Sequence, residues 1–137
     1  MELEYAFFAR YVEPAIDGTL TILGADVGKV FGEQYPVAVP PLGVVIKFRK
    51  PMPDLIRFKF QMNGPEGVGM VLTSGDEWQE AVARKEETGA SAGSRLVINL
   101  PAFALPVVGD YLFSFTIDGG PTVELPLKAV SVKGVEP

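Results

Sequence analysis

At 137 residues with 47% hydrophobic content, the chain can build one core and is too short for two ordinary domains, so residues 1–137 read as a single domain. It contains neither His nor Cys, which excludes disulfides, a Ser-His-Asp triad, a Cys nucleophile and the usual zinc sites. A net charge of -5 argues against wholesale nucleic-acid binding, which needs a cationic footprint.

The start, Met1-Glu2-Leu3-Glu4, is acidic where a secretory signal is basic, and no apolar run approaches the ~20 residues of a membrane helix. A cytoplasmic protein without membrane attachment is the expectation. Residues 3–12 alternate as a strand, with Leu3, Tyr5, Phe7 and Ala9 on one side. Asp17-Gly18 suits a tight turn, and residues 19–24 return as a second strand with Leu20 and Ile22 on one face. Residues 25–41 are rich in Gly and Pro and read as a long loop with a short extended piece at 37–39. Pro40-Pro41 removes two successive ladder donors there, so any strand beside it is an edge.

The cleanest period-two pattern follows. In 44–49, Val44, Ile46 and Phe48 oppose Val45, Lys47 and Arg49; in 55–62, Ile56, Phe58, Phe60 and Met62 oppose Leu55, Arg57, Lys59 and Gln61. Residues 51–54 and 63–67 are turns, and 68–73 is another strand. Ser74 and Glu77 have capping-box spacing, acids open the next segment, and Trp78, Ala81, Val82 and Lys85 share a helical face, which predicts a short helix over 76–87. Residues 88–94 read as a flexible connection. A strand at 95–100, a Pro-flanked apolar link at 101–106, and strands at 110–118 and 122–132 complete the chain, the last with Pro126 marking an edge or bulge.

Short strands with a turn about every ten residues predict an all-β fold, an antiparallel immunoglobulin-like or C2-like β-sandwich of about 7–9 strands with one inserted helix. A closed barrel is the alternative. Gly109-Asp110-Tyr111 before a long alternating strand resembles a tyrosine corner, in which the phenol ties a connection to the sheet. The opening Leu3-Glu4-Tyr5-Ala6-Phe7-Phe8-Ala9-Arg10-Tyr11, with Asp17-Gly18-Thr19-Leu20, Ile22-Leu23-Gly24, Gly109-Asp110-Tyr111-Leu112-Phe113, Asp118-Gly119 and Leu125-Pro126-Leu127, resembles a family of small bacterial and phage-associated β-sandwich proteins of unknown function. That resemblance covers about a third of the chain, at both ends, and implies a compact β domain with no catalytic residue to carry over.

Two constellations stand out. Lys47, Arg49, Arg57 and Lys59 would form a cationic strand face that takes an anion or an acidic partner; its ordinary reading is a solvated outer face. The segment 76–87 carries five acids against Arg84 and Lys85, so Glu77, Glu80 and Trp78 are candidates for partner contact, lying against that face or meeting it in a second copy. Core packing is the ordinary reading of Trp78, while with Phe31 and Tyr35 it could instead form a carbohydrate-stacking or peptide-binding platform. Asp17, Asp26, Asp54, Asp76, Asp110 and Asp118 fall in or beside turns, where a calcium site is the alternative to a structural role. The expectation is a non-catalytic protein-interaction or assembly module without cofactor, whose partner is another protein or a second copy. Its rivals are a calcium- or carbohydrate-binding module and a small carboxylate-dependent hydrolase. The strands at 19–24 and 95–100 lack edge protection and should pair internally or across a dimer.

Overall fold

The computed structural model describes residues 3–14, 20–25, 27–49, 53, 55–73, 77–86 and 93–132. The elements are β1 (Leu3–Pro14), β2 (Leu20–Ala25), β3 (Lys29–Gly32), β4 (Val37–Val39), β5 (Leu42–Phe48), β6 (Leu55–Asn63), β7 (Met70–Thr73), β8 (Gln79–Glu86), β9 (Gly93–Leu100), β10 (Phe103–Leu105), β11 (Gly109–Ile117) and β12 (Thr122–Ser131). No helix occurs among the described residues, and so none long and apolar enough to cross a membrane.

One hydrogen-bonded path runs β2-β1-β5-β9-β8-β6-β11-β12-β3, with β7 added to β6; β4 and β10 form a separate ribbon. Every pair is antiparallel except β12–β3. Alternation explains the curl. The inner faces of the first strands (Phe8, Val44, Ile46, Leu96, Ile98) and of the later ones (Phe58, Phe60, Phe113, Phe115, Val123) bury the same core, so the sheet must bend round to face itself. Phe113 is its centre, edge-on to Phe8 at 5.2 Å and to Phe103 at 5.7 Å, and stacked on Phe115 at 6.0 Å. The two ends of the bend then meet: Val27 N–H donates to Phe8 C=O (2.9 Å), and Lys128 N–H donates to Gly28 C=O (3.0 Å).

The all-β expectation holds, and the helix does not. Residues 79–82 of β8 pair with β6 and 83–86 pair with β9, so this strand is the corner through which the sheet turns. A helix there would leave two strand edges without ladder partners, a larger loss than helical spacing can offset. Because β8 makes the sheet continuous and β3 joins in parallel, the architecture is a curled mixed half-barrel and not a clear immunoglobulin-like or C2-like sandwich.

The count rises above the expected nine because the "loop" at 25–41 contains β3 and β4, and the "link" at 101–106 contains β10, which pairs with β4. Gly93 and Ser94, expected in a flexible connection, are buried in β9. The turn at Asp17-Gly18 lies outside the described residues, as do Lys50, Asp54, Asp76 and residues 87–92.

A second, smaller cluster sits on the outer side of β5. Ala9, Val12 and Val45 are buried there with Phe7, Leu20, Ile22 and Val97 packed around them. The end of β1 and the start of β2, through Leu20 and Ile22, therefore fold over β5, close enough that a Cβ on Gly43 would meet Val12 Cγ2 at 2.7 Å. This cover buries β5 on both faces, which simple alternation does not foresee.

Candidate interaction surfaces

The four cations expected on one face are divided by topology. β5 lies between β1 and β9, whereas β6 lies between β8 and β11, so the two strands are not hairpin neighbours. Lys47 is 1% exposed, opposite Tyr5 on one side and Arg95 on the other, and has an interaction partner. Arg49, at the end of β5, is exposed and also engaged. Arg57 and Lys59 keep the expected outward position side by side on β6.

Those two cations meet the acidic segment, now a strand. Glu80 is opposite Arg57 in the β6–β8 register. The Arg57 guanidinium carbon lies 5.4 Å and the Lys59 ammonium 4.7 Å from the Trp78 ring centroid, within cation–π range. Arg57 also pairs with Asp118 across 3.2 Å, both side chains being about half exposed. Trp78 is thus a half-buried surface anchor and not a core residue; Glu77 beside it is exposed. A shallow groove runs from Trp78 and Lys59 past Thr73, Ser114 and Thr116. Phe31 and Tyr35 are elsewhere: Phe31 is 61% exposed on β3, and Tyr35 OH donates to Val130 C=O at 2.8 Å, where burial raises its pKa. The three aromatic residues therefore do not make one platform.

Of the candidate calcium ligands, Asp118 is engaged by Arg57 and Asp110 is exposed opposite Lys128 on β12. Asp17, Asp26, Asp54 and Asp76 lie outside the described residues, and no group of three acids able to hold a metal ion occurs among the described ones.

The unprotected strands resolve in opposite ways. β9 is internal, between β5 and β8; β2 ends the sheet. On the outward side of the β1–β2 ladder, Tyr11 is opposite Leu23, and both side chains are open, Tyr11 at 45% and Leu23 at 60% exposure. Tyr11 OH donates to Glu13, and that bond, more than desolvation, raises the phenol pKa. The lack of charge in β2 is legible from sequence, but its pairing with Tyr11 depends on the register.

The chain belongs to a family of unknown function, DUF6941, which it matches over residues 4–130. No curated protein matches it. Among solved structures it is similar to the Pseudomonas fluorescens alkylpurine DNA glycosylase AlkC bound to DNA containing an abasic site analog, at a TM-score of 0.40 and 9% identity over 93% of this chain. The chain spans 30% of that chain's length, and a likeness at this level carries no argument about function.

Proposed function

We propose that this chain, as a member of a family of unknown function, is a non-catalytic interaction module that receives an extended segment of a partner protein on the open edge of β2. One observation carries the reading. Among the described residues β2 pairs with β1 alone, and Leu20-Thr21-Ile22-Leu23-Gly24-Ala25 contains no charge and no proline. Free edges in natural sheets are normally blunted by Lys, Pro, bulges or covering segments, because their unpaired N–H and C=O groups template another strand. The opposite end of the sheet differs: β3 is four residues long and carries Lys29.

Strand addition supplies main-chain hydrogen bonds for affinity, and side chains on alternate positions supply selectivity. Leu23 and Tyr11 offer that apolar contact, and the rest of β2 is tied down through Leu20 and Ile22 against the outer cluster of β5. Carbohydrate binding is less well supported because two cations already occupy the Trp78 ring, and carboxylate chemistry because Asp118 is engaged by Arg57. The single-domain organisation and the bacterial or phage-associated, cytoplasmic setting implied by the sequence belong to the same proposal.

The test uses the full chain and its Leu23→Lys variant as parallel baits in the native host. Leu23 is exposed, so both should melt alike. A protein retained by the native chain and lost with Leu23→Lys is the expected result. Identical recovery by both baits, or no protein partner together with turnover of a generic ester or glycoside, overturns the proposal.

A further inference from the structure

Past Val27 and Gly28 the walls of the seam separate. β1 continues on one side through Arg10, β3 on the other through Lys29 and Phe31, and a cleft of about 300 Å³ opens between them. Its floor is apolar and belongs to the main core: Val39 and Leu42 are 4% and 5% exposed. Pro40 and Pro41 form a stiff rim, and a shallower extension runs over Gly24, Ala25 and Gly28.

Two cations stand over this floor. Arg10 and Lys29 are both exposed, and among the described residues no acid pairs with either. Arg10 is also held in place. Gly24 has a left-handed φ of 63°, and a Cβ there would meet Arg10 Cγ and Cδ at 2.9 Å, so the arginine stem lies along bare glycine backbone. A side chain at position 24 would push the guanidinium away from the cleft. Arg10 and Gly24 alternate with Tyr11 and Leu23, so the cleft opens on the face of the β1–β2 hairpin opposite those two side chains.

An apolar floor under paired cations selects a ligand with both characters. A neutral apolar molecule would cover Val39 and Leu42 without engaging Arg10 and Lys29; a bare inorganic anion would do the reverse. The volume is at the lower end of the ~300–1,000 Å³ range of small-molecule sites, which limits the ligand to a short chain or single ring. We propose that the cleft binds a small amphipathic carboxylate of the medium-chain fatty acid class. Its carboxylate bridges Arg10 and Lys29 by charge-assisted hydrogen bonds, and its chain lies on Val39 and Leu42 beside the Phe31 ring.

The probe is octanoate, titrated into the isotope-labelled full chain and followed by NMR, with octanol and inorganic phosphate as controls. The expected result is saturable shifts confined to Arg10, Lys29–Phe31 and residues 38–42, with each control at least about tenfold weaker. The Arg10→Gln, Lys29→Gln double variant should lose about tenfold toward octanoate and keep its weak affinity for octanol. Gly24→Ala should weaken octanoate in the same sense, and Ala38→Phe, which fills the cleft from its exposed wall, should abolish binding; thermal melts identify any variant that fails to fold. Octanol binding as tightly as octanoate overturns the proposal. So does an unchanged affinity in the folded double variant, or unsaturable shifts spread over Leu23, Met70 and Val82.

Discussion

The phenol of Tyr111 holds both backbone polar groups of one residue: it donates to Val107 C=O at 2.7 Å and accepts from Val107 N–H at 3.1 Å. The ring is 1% exposed, so the connection between β10 and β11 is fastened directly to the core. Tyr111→Phe keeps the packing and removes both bonds, leaving a partly buried N–H and C=O without that partner. It should cost about 1–3 kcal/mol in urea unfolding with the slope unchanged. A loss within error of zero would mean that solvent replaces the phenol at no penalty. This corner was legible in the sequence because Gly109-Asp110-Tyr111 and Val107 lie within a few residues of one another. Lys47 shows the opposite case. Alternation correctly places it opposite Ile46 and Phe48, but burial of that side comes from Tyr5, Arg95 and the hairpin over β5, all set by long-range pairing. For the same reason neither Arg10 nor Lys29 carries any local sign of a shared cleft.

At the level of elements, β8 shows how pairing overrides local preference. Its helical spacing is genuine, yet the same residues also alternate, with Trp78, Glu80 and Val82 outward and Ala81 and Ala83 inward. Two strands needing a common partner decide between these readings. The flanking glycine is equally constrained. Where β9 begins opposite Glu86, a Cβ on Gly93 would lie 2.0 Å from Phe48 C=O, a backbone atom that cannot turn aside. Gly93→Ala must therefore part β5 from β9 at the Phe48–Ser94 pair, and should destabilise by about 1–3 kcal/mol or more. Gly28→Ala is the control, since nothing lies within 4 Å of its Cβ position, and should stay within about 0.5 kcal/mol. Equal melting of the two variants would show that the β5–β9 end yields freely. Sequence composition marked this region as flexible because glycine and serine are common in connections; here glycine is required by the close approach of two strands.

Over the whole molecule, the half-barrel is closed unevenly. β11 and β12 share a register eight pairs long, and Phe113 and Phe115 on β11 are 0% exposed. The seam between β1 and β12 instead hangs on Val27 N–H to Phe8 and Lys128 N–H to Gly28, with the cleft opening directly beyond. Opening free energies track buried contacts and ladder continuity, so the seam should open locally while the β6–β11–β12 half stays intact. In native-state hydrogen exchange, the amides of Val27 and Lys128 should show an opening free energy well below that of Phe113 and Phe115. The latter pair should approach the global unfolding value measured in urea. This ordering also bears on the choice between sandwich and barrel: the pattern of strand faces predicts a core with two inner walls but says nothing of how the last gap is bridged. If Val27 and Lys128 exchange only through global unfolding, the seam is as strong as the ladders it joins and the molecule behaves as a closed barrel. If they exchange early, the gap is the weakest line in the fold, and the cleft at its end lies between two walls free to adjust to what enters.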